Sequence, residues 1–153
     1  MSIQIESDPP KRLLERWLQS EQELNGFLVK FLGCRLPVQE WTHRAHLSVA
    51  ALLVEEHGRT EALRTLRTAI SNYNESTGGT NSETAGYLET LTVFWIDRVA
   101  ALMERLPGEW ERLDRVRAVV EAYGLVRRLD LAYYTFDAAA SREARREWIP
   151  PDR

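Results

Sequence analysis

From Lys11 onward, apolar residues return at helical intervals: Leu13, Leu14, Trp17, Leu24, Leu28, Phe31 and Leu32. That spacing puts them on one face of a helix. Ser20 with Glu23 forms a capping box, so the stretch divides into two helices near Ser20. "GCRLP" stops the second, and Pro37 opens a helix over roughly residues 38–56, closed by Gly58. Thr60 then caps a helix carrying Leu63, Leu66, Ile70 and Tyr73. The small polar run "NESTGGTNS" is a loop. After it, Thr80 with Glu83 predicts the cap of a long helix that runs to about Leu106 and ends at Pro107-Gly108. Trp110, Leu113, Val116, Val120 and Tyr123 mark another, with Gly124 as its C-cap, and a short last helix follows Ser141 and stops before Pro150-Pro151. No segment alternates with a two-residue period. The pattern predicts an all-α, single-domain bundle of five to six helices over residues 11–153, behind a flexible lead-in over residues 1–10.

Placing successive residues about 100° apart sorts each helix into faces. In the helix after Pro37, Glu40, Arg44, Ser48, Ala51 and Glu55 share an arc expected to meet water, opposite Trp41, Ala45, Val49, Leu52 and Leu53. His46 falls in the apolar arc and His43 near its edge, one turn away, so two imidazoles can address a common point. In the long helix, Thr90, Val93, Asp97 and Glu104 define an expected outer face, and Ala85, Leu88, Thr92, Ile96, Val99 and Met103 an inner stripe. Glu89 sits beside that stripe, where an unpaired carboxylate would cost several kcal/mol. A nearby histidine would meet its need. Arg67 and Asn74 border the apolar stripe of the Thr60 helix, so three successive helices bring polar groups inward.

Composition narrows the chemistry these groups can do. The chain has 153 residues, a net charge of −3 and one cysteine, Cys34. A single cysteine excludes an intramolecular disulfide and a cysteine-based zinc cluster. The charge balance gives no footprint for nucleic acid. No signal-peptide core and no membrane-length apolar run is present, so a cytoplasmic protein with no membrane partner is expected. His57 lies about 16 Å along the helix from His46, too far to join it. His43 and His46 therefore stand as metal ligands, as acid/base groups, or as core imidazoles bonded to carbonyls. A metal would need a third ligand, and Glu89 is the one on offer. The "STGGTNSETAGY" run lacks the Gly-Lys-Ser/Thr ending of a P-loop and is expected to be a capped loop.

Three stretches, "LPVQEWTHRAHLSVA", "YNESTGGTNSETAGYLETLTVFW" and "YYTFDAAASREARREWIPPD", together resemble a family of small, largely uncharacterised bacterial proteins. Its pattern is W-T-H-x-x-H-L, then Y-N-x-S-x-G-x-x-N, then G-Y-H-E-T-x-T. The resemblance maps onto Trp41, Thr42, His43, His46, Tyr73, Asn74, Ser76, Gly78, Asn81, Gly86, Tyr87, Glu89, Thr90 and Thr92. Leu88 departs from it, standing where the pattern has histidine. The resemblance implies a polar pocket and names no activity, and the departure weakens a metal centre here.

The expectation from sequence is a pocket that binds or acts on a small polar molecule. His43 or His46 transfers a proton there, Glu89 orients it, and Arg67, Tyr73, Asn74, Asn81, Tyr87 and Thr92 hold substrate. No cofactor is expected; a metal, if present, would use His43, His46 and Glu89. The competing expectation is a non-catalytic helical interaction module or homodimer whose polar network only fixes packing.

Overall fold

Thr42 begins the helix around which the chain is arranged. Its side chain accepts a hydrogen bond from the Ala45 amide, 3.2 Å, the standard way to satisfy an orphan donor in a first turn. The structure, a computed structural model, describes residues 3–5, 8–9 and 13–153. Its helices are α1 Glu21–Leu32, α2 His43–Ser76, α3 Glu89–Arg105, α4 Arg112–Tyr123 and α5 Arg142–Arg146, with short 3-10 turns between them. No strand occurs among the described residues, and the chain is an all-α bundle. Ser20 and Ser141 cap α1 and α5 as expected, accepting from the Glu23 and Ala144 amides.

A straight helix of α2's length would span about 50 Å, yet the Trp41 and Tyr73 rings lie 5.5 Å apart. The chain doubles back at Gly58, where φ is 82° and ψ is 169°. That conformation is essentially restricted to glycine. α2 is thus a hairpin of two helical limbs, which agrees with the expected stop at Gly58. α3 meets the first limb at His43–Trp95 and the second at Arg67–Glu89, and α1 and α4 also pack against α2.

Three expectations fail for identifiable reasons. Ser48 and Ala51 are buried, because the Arg16–Leu18 turn, α1 and α4 lie over that face of α2. The Trp17 indole donates to Ser48 Oγ at 3.0 Å, and two small side chains permit the close approach. Thr90 and Val93 are buried as well, because the C-terminal segment crosses α3. Thr90 Oγ1 donates to the Glu147 carbonyl at 2.8 Å and accepts from the Ile149 amide at 3.0 Å.

The helix expected from Thr80 begins only at Glu89. Residues 80–88 instead form a loop gathered around the Asn81 side chain. That side chain accepts from the Tyr87 amide and Asn74 Nδ2, and donates to the Ser71 carbonyl. Gly86, with φ 84°, seats this clamp, since a Cβ there would strike Asn81 Oδ1 at 2.6 Å. Of the expected lead-in, Ile3 and Ile5 lie against the core, while residues 1, 2, 6, 7 and 10 fall outside the described residues. No helix among the described residues is long and apolar enough to cross a membrane.

Gly58→Ala would meet open space, so its cost is purely conformational, expected at about 1–3 kcal/mol. Gly26→Ala, in α1 with equally open surroundings, should instead stabilise by about 0.5–1 kcal/mol. Urea midpoints of the two variants check the reversal directly: both should shift, in opposite directions.

Candidate functional site

The hairpin and α3 enclose a cavity of about 670 Å³. The first limb supplies His43, His46, Leu47 and Ala50, the second Leu66, Ile70 and Asn74, and α3 with its approach Tyr87, Leu88, Thr92 and Trp95. Each set follows three- and four-residue steps, one face per helix. Trp41, Arg127 and Arg128 complete the wall.

Two imidazoles face this space in defined protonation states. His46 Nδ1 lies 2.7 Å from the Thr42 carbonyl and must donate to it. His43 Nε2 lies 3.0 Å from the Tyr123 carbonyl and must do likewise. A carbonyl only accepts, so each bond fixes the tautomer and leaves a lone pair on the other nitrogen, His46 Nε2 and His43 Nδ1. Neither of those nitrogens is sealed away without a partner; among the described residues only Arg98 Nε is.

Aromatic rings hold the imidazole planes. His46 stacks on Trp41 at 3.7 Å, and Trp41 stacks in turn on Phe31 at 4.2 Å. His43 lies against Trp95 at 4.9 Å. Burial pushes the His46 pKa down to about 4, outweighing the Thr42 bond, with His43 and Arg127 adding repulsion. Burial also lowers His43 against the opposing Tyr123 bond, helped by Arg127 and Arg44. Both rings are therefore neutral acceptors at neutral pH.

Glu89 takes a different partner from the one expected. Its carboxylate receives two forked bonds from Arg67, Nε to Oε1 at 3.0 Å and Nη2 to Oε2 at 2.6 Å. Tyr87 Oη adds a third, at 2.7 Å. Burial opposes ionisation, but these donors prevail and hold the carboxyl below its ordinary value. No hydrogen bond joins Glu89 to either histidine, and neither Glu89 nor Arg67 is on the cavity wall.

Tyr73 and Asn81 are likewise off the wall: Tyr73 Oη donates to the Leu36 carbonyl at 2.7 Å, and Asn81 organises the loop. Thr92 reaches the wall with its hydroxyl bound to the Leu88 carbonyl, 2.8 Å. Of the nine residues singled out from sequence, His43, His46, Asn74, Tyr87 and Thr92 meet at the cavity, and Arg67, Glu89, Tyr73 and Asn81 support it from behind.

The C-terminal contribution was not legible. Arg128 is held by buried Asp130, Nε to Oδ1 at 3.0 Å, and by Asp137 at 2.7 Å. Arg127 next to it reaches the cavity and forms no ion pair or hydrogen bond among the described residues. Nothing in "GLVRRLD" separates the two arginines; only the fold does.

Among the described residues no three His, Cys, Asp or Glu side chains are placed together to hold a metal. Glu89, the expected third ligand, is turned to Arg67, and Leu88 lines the wall where the resembled pattern has histidine. Among the described residues, His43 and His46 therefore have no third ligand of this kind beside them.

Glu89→Gln is expected to lower stability by about 1 kcal/mol at neutral pH, since Arg67 is half exposed and solvent screens the pair. The folded carboxyl titrates below its ordinary 4.5. The pair's contribution is thus complete above that pH and fades as the solution is acidified through the lower folded value. Denaturant midpoints of wild type and variant should converge in acid; a constant gap would mean the ion pair is not the source.

Comparison with known proteins brings no match: no family model, curated protein or solved structure aligns significantly with this chain.

Proposed function

We propose that the protein binds a small polar molecule in the cavity between the α2 hairpin and α3, with His43 and His46 accepting hydrogen bonds from it. One observation carries this reading: two imidazoles that line the same cavity each donate to a backbone carbonyl, and the second nitrogen of each has no partner among the described residues. A ring needed only for packing has no reason to keep an accessible, unpartnered nitrogen. The volume lies within the roughly 300–1,000 Å³ common to small-molecule sites.

The two histidines differ in what they can do next. A base whose pKa is about 4 holds a proton poorly at neutral pH, so His46 is better suited to recognition than to proton transfer. His43, less strongly depressed, is the better proton acceptor if chemistry follows binding. Glu89 enters this proposal through Tyr87, which it anchors in the wall, rather than by orienting a histidine. Asn74 and Thr92 supply further polar contacts.

Two conservative substitutions separate lone pair from scaffold. His46→Asn places an amide donor near the Nδ1 position and deletes the Nε2 lone pair. His43→Gln retains a donor toward the Tyr123 carbonyl and deletes Nδ1. A ligand screen by thermal shift and saturation-transfer NMR should find small polar molecules that bind wild type and bind each variant at least about ten-fold more weakly. The variants themselves should melt within a few degrees of wild type. Ligands that bind all three proteins alike, or a screen with no binder, would favour a purely structural polar network.

A further inference from the structure

The charge around the cavity says more about its occupant. Among the described residues no aspartate or glutamate lines it, and the only charged side chains on the wall are Arg127 and Arg128. Arg128 is already matched by Asp130 and Asp137. Arg127 is not matched, and it lies close enough to both imidazoles to repel a proton from each. The chain as a whole carries −3, so this cationic wall is a local arrangement and not a by-product of basic composition. The N-termini of α2 and α3 also open here, at Thr42 and Leu88. The Leu88 cap has no side chain to satisfy the first amides of α3, which adds positive potential.

Much of the remaining wall is apolar, interrupted by the uncharged polar groups of Thr42, Asn74, Tyr87 and Thr92. Leu47, Leu66, Ile70 and Ile96 form its aliphatic part, with the Trp41 and Trp95 rings beside the histidines. Such walls favour a planar hydrophobic body. The neutral imidazoles can only accept at their free nitrogens, so a carboxylate alone would leave them unpartnered. The occupant must also bring a hydrogen to donate.

Resting on the small-molecule proposal above, we infer that the ligand is a small planar organic anion: a carboxylate on an aromatic or unsaturated body that also carries a hydroxyl or amine hydrogen. Arg127 takes the carboxylate as a two-pronged guanidinium pair, Trp95 lies beside the body with the aliphatic wall opposite, and the imidazole lone pairs accept the hydroxyl or amine.

The test uses matched probes that differ only in charge: para-hydroxybenzoate against para-hydroxybenzamide, and indole-3-acetate against indole-3-acetamide. Binding is followed by NMR with wild type, Arg127→Gln and Arg127→Lys. The acids should bind wild type at least about ten-fold tighter than their amides. Arg127→Gln should erase the difference and Arg127→Lys retain part of it. Without any ligand, Arg127→Gln should also shift the His43 and His46 titrations upward, which shows that the variant is folded and that the guanidinium faces the rings. Amides that bind as well as acids would overturn the anion assignment and leave the small-molecule proposal standing. So would acid binding indifferent to Arg127→Gln. Failure of both series at millimolar concentration also overturns the anion assignment; if the broader screen then finds no binder, the proposed function falls with it.

Discussion

At Gly58 the backbone adopts φ 82° and ψ 169°, and the α2 wall of the cavity depends on that reversal. Without it His43 and Asn74 would lie about 46 Å apart on one rod; with it they share a space of about 670 Å³. The reversal also brings Tyr73 against Trp41 and Phe31. It therefore buttresses, through Tyr73, the Phe31–Trp41 stack on which the His46 ring rests. A single glycine conformation connects fold to site, and it adds no side chain to either.

Around that hairpin the polar residues divide into two groups by whether their hydrogen-bonding capacity is closed. Glu89 with Arg67 and Tyr87, Asn81 with its loop, and Tyr73 with Leu36 are satisfied by the protein itself. Such closed networks rigidify and specify packing. His43, His46 and Arg127 are open: each presents an atom that the protein leaves without a partner at the cavity. Burial holds both imidazoles below their ordinary titration, which disfavours the folded state only in acid, where the unfolded rings take up a proton. Departures of this kind mark functional positions more often than scaffolding ones.

The sequence exposed whatever local chemistry decides. Ser20 and Ser141 cap helices because a hydroxyl at that position reaches the third amide, and Gly58 ends a limb because only glycine suits its backbone; the helix expected to open at Pro37 starts instead at His43, where Thr42 offers the same kind of cap. The two histidines were visible as polar residues on an apolar face. Long-range packing hid the rest. Ser48 and Ala51 read as solvent-facing until α1 and α4 cover them, and Thr90 until the C-terminal segment crosses it. The Thr80–Glu83 pair carries a sound capping pattern, but Asn81 offers the backbone better bonds outside a helix. Glu89 was placed beside the histidines because burial demanded a partner; Arg67, one limb away, answers that demand with a forked pair. Arg127 could be found only once the segment after α4 had been folded onto the cavity.

The proposed site requires two neutral imidazoles of opposite tautomer, each with a lone pair free for a ligand. Two-bond ¹H–¹⁵N NMR of the histidine rings across pH measures this directly. The expected result is protonated Nε2 with bare Nδ1 for His43, protonated Nδ1 with bare Nε2 for His46, and a His46 midpoint at about 4. Two rings titrating near the ordinary 6.5 with mixed tautomers would contradict it.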